Sequence, residues 1–122
     1  MIIHKSIFDE VGLFDDSLFV CEDYDLWLRI TARNPVLYIE KPLLRKYGGH
    51  NDQLSRKYWG MDRFRIKSLE KIIYSKELSE SDENAAKKML TEKIHIFIQG
   101  AQKRGNKKEV REFKEQYSEF LQ

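Results

Sequence analysis

Three carboxylates stand together in the segment Glu22-Asp23-Tyr24-Asp25, at the start of a predicted helix. A fixed carboxylate can accept the proton of a hydroxyl nucleophile as that hydroxyl attacks, which is the role of a general base. Acidic side chains are also favoured in the first turn of any helix, because each complements the helix dipole by about 0.3–1 kcal/mol. The spacing alone therefore leaves two interpretations open, a catalytic base and a helix start stabilised by charge.

Further candidate residues lie on either side of a glycine pair. His50 follows two glycines that permit a tight turn, and it is either a metal ligand or a hydrogen-bonded surface histidine. Arg56 and Trp59 lie where a helix is predicted to begin, and this cation and this ring can contact diphosphate or sugar, or simply pack that helix. Trp27, one helical turn after Asp23, can stack under a sugar or pack into the core.

The elements that position these residues follow from periodicity. Residues 22–33 are predicted to form a short helix, ended by Asn34-Pro35, in which Asp25 and Arg29 can pair one turn apart. Residues 36–40 and 43–47 are predicted to be two short strands on either side of a proline, as at a sheet edge.

Beyond residue 50 the pattern is helical. A long helix is predicted over residues 54–74 with Ser55 as its N-cap, and another from Ser81 towards Gly100 or Gly105. Asn106 is predicted to cap a last helix through residue 120, so that the final two helices form an antiparallel hairpin. The predicted class is α+β but predominantly helical, with residues 1–76 as one unit and residues 77–122 as a helical hairpin extension.

Composition narrows the classes of partner and location. The 122 residues carry a formal net charge of +2, which argues against nucleic acid as the main partner. Cys21 is the single cysteine, which fits a reducing compartment. No apolar run reaches the roughly 20 residues that a membrane-spanning helix needs. We therefore expect no transmembrane segment and a cytoplasmic location, including a peripheral one at the inner face of the membrane.

The run VGLFDDSLFVCEDYDLWLRI (residues 11–30) is similar to the VGxFDE…EDxDLxxR signature of family 2 glycosyltransferases of the GT-A type. The resemblance covers about residues 3–71 and implies the C-terminal, acceptor-side portion of a GT-A fold. It implies that Asp23, with Glu22 beside it, is the general base of an inverting transfer, and that His50 holds a divalent metal, Mn or Mg. The candidate substrate contacts are then Asp25, Trp27, Arg56 and Trp59, while Asp25 also has a structural reading through Arg29.

The same resemblance implies a nucleotide-sugar donor and a glycan acceptor in the complete enzyme, in the synthesis of a cell-surface polysaccharide or glycan. A nucleotide-binding half is expected to be absent from this chain, so the chain alone should be inactive and bind no metal. The edge of the predicted strands should then be uncovered, which predicts self-association. The alternative is a non-catalytic helical protein-interaction module, in which the hairpin over residues 82–121 docks a partner.

Overall fold

A computed structural model describes residues 1–45, 47 and 58–121 of the chain. In these ranges the ordered elements are helices: α1 Ser6–Val11, α2 Glu22–Thr31, α3 Asp62–Tyr74, α4 Glu80–Lys103, α5 Lys107–Gln116 and a closing 3₁₀ turn, Ser118–Phe120. None of the helices in these ranges is both long enough and apolar enough to cross a membrane.

The core lies between α3, α4 and the C-terminal helices, because each of these presents one apolar stripe to the others. Its buried members are Ile66, Leu69, Ile73, Leu90, Ile94, Phe97, Ile98 and Tyr117. Full burial of one such aliphatic side chain contributes about 1.5–3 kcal/mol. On another side of α3, α2 packs through Leu26 and Ile30, and α1 lies against α2.

The predicted hairpin is present, and its two helices begin at side-chain caps. The Ser79 hydroxyl accepts a hydrogen bond from the backbone N–H of Asp82, at 3.2 Å, so α4 begins two residues earlier than predicted from Ser81. Asn106 caps α5 as predicted, its side chain accepting from the N–H of Glu109. Such caps satisfy N–H groups that have no partner within the helix.

The two predicted strands are wrong. Within residues 36–40, 43–45 and 47 no strand forms, and the side chains are exposed, as for Leu37 at 88% and Leu44 at 86%. A strand needs a second strand to satisfy its backbone groups, and a two-stranded pair is at best marginally stable by itself. The described residues are therefore helical and irregular, so the predominantly helical class holds and the sheet remnant of the α+β prediction does not.

The long helix predicted over residues 54–74 begins later, at Asp62. Its predicted cap, Ser55, lies outside the described residues. Residues 58–61 are described and are not helical, and Gly60 has a positive φ of 70°, a conformation that does not continue a right-handed helix. Trp59 consequently lies before α3 and not on it.

Candidate functional site

The start of α2 is preceded by a strained residue. Cys21 has φ 60° and ψ 22°, the left-handed region, which costs a residue with a side chain about 1–2 kcal/mol. It is 5% exposed, and its Sγ lies 3.8 Å from the carbonyl oxygen of Met61. Strain of this kind persists only where the surrounding structure holds it, and it is common beside functional residues.

Asp23 is exposed on the first turn of α2. Its Oδ1 accepts a hydrogen bond from the backbone N–H of Tyr24 at 2.8 Å, which orients the carboxylate. Its Oδ2 has no hydrogen-bond or ion-pair partner among the described residues. Within the described part of the chain, Asp23 thus keeps one carboxylate oxygen without a partner, and Glu22 lies beside it, partly buried.

Asp25 points the other way and is 2% exposed. Its Oδ1 lies 2.7 Å from Nζ of Lys71 on α3, and its Oδ2 lies 3.0 Å from Nε of Arg29 on α2. Both oxygens are therefore paired with cations, as a buried carboxylate requires. This geometry favours the structural reading of Asp25 over a direct contact with substrate.

Lys71 makes a second ion pair, with Asp15 in the loop before α2. Ser17 holds the other oxygen of Asp15 through its hydroxyl, at 2.6 Å, and its backbone N–H, at 2.9 Å. The hydrogen bonds from Lys71 and Ser17 hold the pKa of Asp15 well below its usual range. Partial burial alone would lower the pKa of Lys71, but its hydrogen bonds to Asp15 and Asp25 outweigh that effect and raise it.

Arg29 connects α2 to the end of α1. Its guanidinium donates to the carbonyl oxygens of Val11 and Leu13, the latter at 2.7 Å, while its Nε pairs with Asp25. Gly12 lies between those two carbonyls with φ 80° and ψ 174°, a combination that only glycine adopts readily. We call Asp15, Asp25, Arg29 and Lys71 the ion-pair network. Three of its four members belong to the VGLFDD…EDYDLWLR run, so the spacing of that run is explained by contacts between its own residues.

Of the four remaining candidates, the structure describes Trp27 and Trp59. Trp27 is partly buried on α2. Trp59 packs against α4, with its ring centroid 5.5 Å from that of Phe97 and the guanidinium carbon of Arg104 4.4 Å from its own centroid. Its indole N–H is buried and has no hydrogen-bond partner in the described part of the chain. The candidates His50 and Arg56 fall outside the described residues, so their roles stay predictions.

Metal binding was predicted at His50, and the described residues supply no other site for it. Among residues 1–45, 47 and 58–121, no three side chains of His, Cys, Asp or Glu converge in a way that would hold a metal ion. The acidic residues at the start of α2 diverge, since Asp23 is exposed and Asp25 is turned inward to Lys71 and Arg29.

Sequence reasoning missed Lys71, which is the side chain that joins α3 to the acidic run. It lies 46 residues from Asp25, so no local spacing connects the two. The available signal was a lysine between apolar residues, in the order Leu69-Glu70-Lys71-Ile72-Ile73, with Leu69, Ile72 and Ile73 all buried. A cation at the border of an apolar stripe fits a buried carboxylate partner.

Comparison with known proteins relates part of the chain to glycosyltransferases. An uncharacterized glycosyltransferase of Rickettsia felis (strain ATCC VR-1525 / URRWXCal2) is 33% identical over 57 residues, which are 47% of this chain and 9% of that protein. An uncharacterized glycosyltransferase of Rickettsia bellii (strain RML369-C) is 39% identical over 57 residues, 47% of this chain and 8% of that protein. No family model matches the chain, and no solved structure matches it.

The match covers less than a tenth of the length of each of these two relatives. It supports a glycosyltransferase-like relationship for about half of this chain.

Proposed function

We propose that this chain is the acceptor-side portion of an inverting glycosyltransferase of family 2 and GT-A type, with Asp23 as its general base. The observation that carries the proposal is the exposed Asp23 carboxylate, one oxygen of which has no partner among the described residues, on a helix start attached to α3 by the ion-pair network. Three of the four residues that build this support, Asp15, Asp25 and Arg29, belong to the run that resembles the family signature.

In the proposed reaction an acceptor hydroxyl attacks the anomeric carbon of a nucleotide sugar. The new carbon–oxygen bond forms as the bond from that carbon to the diphosphate oxygen breaks, and the nucleoside diphosphate leaves with the bonding electrons. Oδ2 of Asp23 takes the hydroxyl proton during the attack. Attack opposite the leaving group inverts the configuration at the anomeric carbon, and correct positioning of the two reactants supplies much of the acceleration.

The position of Asp23 on its helix suits this role. Asp23 stands in the first turn of α2, where the positive end of the helix dipole favours acidic side chains. The proton transfer is expected to accompany formation of the carbon–oxygen bond and not to precede it.

The donor site and its divalent metal, Mn or Mg, are proposed to belong to a longer polypeptide that includes this segment. Exposed apolar side chains support this proposal. All but three of the large ones among the described residues lie within residues 1–47, the exceptions being Tyr74, Met89 and Ile96. Contiguous exposed apolar surface commonly marks a region that another part of a protein covers.

The proposal is tested in the longer polypeptide with Asp23→Asn, a nearly isosteric change that removes the base. Release of nucleoside diphosphate from a panel of nucleotide sugars, in the presence of acceptor extract, measures turnover. We expect turnover to fall by about 10²- to 10⁴-fold, with donor binding unchanged. The matched control is Asp16→Asn, another exposed carboxylate of the same run, which should keep full turnover. Unchanged turnover in Asp23→Asn would refute the base assignment.

A second candidate function is a helical protein-interaction module, favoured by an open groove along the hairpin. The groove runs between α4 and α5 and is lined by Gln102, Gly105, Lys107, Val110, Arg111, Lys114, Glu115 and Ser118. In this case Asp23→Asn is silent, whereas Arg111→Glu and Lys114→Glu together abolish capture of the partner. The opposite result, loss with Asp23→Asn only, supports the transferase.

A further inference from the structure

We infer that Lys71 is a positioning residue for the proposed base. By bridging Asp15 and Asp25 it fixes the first turn of α2, and with it the direction of the Asp23 carboxylate. The inference rests on the proposed role of Asp23, and it assigns to α3 a function beyond packing.

The helix that carries Asp23 is not held by a cap of its own. The side chains of Ser79 and Asn106 accept hydrogen bonds from the first turns of α4 and α5, whereas Cys21, at the start of α2, makes no side-chain cap. The first turn of α2 closes with the hydrogen bond from the N–H of Asp25 to the carbonyl oxygen of Cys21, at 3.2 Å. The Asp25 side chain is thus attached where the helix begins, and Lys71 anchors it there.

Because both residues lie on one helix, anchoring Asp25 also sets the direction in which the Asp23 side chain projects. Residues two apart in an α-helix project about 200° apart, since each residue turns the chain by about 100°. With Asp25 turned inward to Lys71 and 2% exposed, Asp23 is turned outward to solvent, as its exposure confirms. A rotation of the first turn of α2 would move both carboxylates together.

Stability alone does not explain a charged anchor at this place. The Lys71 side chain is 45% exposed, and an ion pair that reaches solvent usually stabilises a fold only weakly. What paired charges add is a defined orientation. Here Nζ of Lys71 is 2.7 Å from Oδ1 of Asp25 while Arg29 takes Oδ2, so the plane of the carboxylate is fixed from two sides.

The experiment uses the longer polypeptide and compares Asp23→Asn with Lys71→Met, with turnover measured at a temperature at which thermal unfolding shows every variant to be folded. In Lys71→Met we expect kcat to fall on the order of 10²-fold, as for a misplacement of about 1 Å, with KM for the nucleotide sugar unchanged. The melting temperature of Lys71→Met should also fall, because both ion pairs of the lysine are lost.

Turnover of folded Lys71→Met decides the matter. Positioning predicts that kcat stays low although the variant is folded, because the bridge between Asp15 and Asp25 is absent. A purely structural role predicts full kcat wherever the variant is folded, and that result would overturn the inference. The control is Lys67→Met, an exposed lysine one turn earlier on α3, which should change neither quantity.

The two proposals fail in different ways. If Asp23→Asn keeps full turnover, the base assignment fails, and the positioning role of Lys71 fails with it. If Asp23→Asn is inactive but folded Lys71→Met is fully active, only the role of Lys71 is lost.

Discussion

Nη2 of Arg29 donates a hydrogen bond to the carbonyl oxygen of Leu13 at 2.7 Å, while Nε of the same guanidinium lies 3.0 Å from Asp25. One side chain therefore joins the loop after α1 to the buried carboxylate of α2. An arginine suits this position because its several donors are fixed in a planar fork, whereas a lysine carries a single ammonium on a flexible stem.

Arg29→Lys should lower the free energy of unfolding by about 1.5–3 kcal/mol, the usual worth of hydrogen bonds to a charged group. Urea denaturation of the isolated chain measures the change. Arg33→Lys is the control, since the side chains of Arg33 and Glu77 form an exposed ion pair, and exposed pairs contribute little to stability. Equal losses in the two variants would mean that the contacts to the loop carbonyls contribute nothing.

Gly12→Ala should also destabilise the chain. At φ 80° and ψ 174° an alanine is strained by about 1–3 kcal/mol, although its Cβ would meet nothing closer than Nη1 of Arg29 at 3.6 Å. Gly105→Ala is the comparison, because Gly105 has a φ of 74° and open space around it, so the left-handed backbone alone is tested there. Thermal unfolding of both variants gives the difference, and an unaffected Gly12→Ala protein would contradict the strain.

Acid should weaken the ion-pair network in a predictable direction. The folded-state pKa of Asp15 is depressed, so below about pH 4 the unfolded chain takes up a proton at Asp15 before the folded chain does. The free energy of unfolding therefore decreases as the pH falls through this range. Asp15→Asn should show a smaller decrease in urea denaturation between about pH 5 and pH 2.5. Glu83, whose pKa is lowered mainly by its hydrogen bond from Lys87, contributes with the same sign in both proteins. Identical pH dependence in both would exclude Asp15 as a source.

We still predict that the isolated chain self-associates, through exposed apolar residues and not through the edge of a strand. Leu37 and Tyr38 are 88% and 81% exposed, so replacing both by Gln should shift the sedimentation equilibrium towards monomer. Replacing Met89 and Ile96 by Gln is the matched control, because these exposed residues lie apart from residues 1–47. A chain that is monomeric at high concentration before any change would contradict the prediction.

The helices were predictable from sequence because their signals are local. The i, i+3, i+4 spacing around Leu28 and the cap at Asn106 each involve residues within two turns of each other. The absence of the predicted strands was not predictable in this way. The apolar, β-branched pattern of residues 36–40 does not indicate whether a second strand is present to pair with this segment.

In the candidate site, too, the contact between residues close in sequence was predictable and the contact between distant residues was not. The Asp25–Arg29 pair was predicted from its one-turn spacing and is present. The attachment of Asp25 to Lys71 joins residues that are distant in sequence, so only the packing of α2 on α3 reveals it. Asp23 was selected through resemblance, and its exposure is consistent with the role of base without testing it.

The buried, left-handed Cys21 gives the chain a chemical reporter of its own motion. It is the single cysteine of the sequence, it is 5% exposed, and burial raises the pKa of its thiol. Alkylating reagents react with the exposed thiolate, so labelling requires a transient opening of this region. The rate at which the native protein is labelled, relative to a free thiol, therefore measures how often the start of α2 separates from Met61.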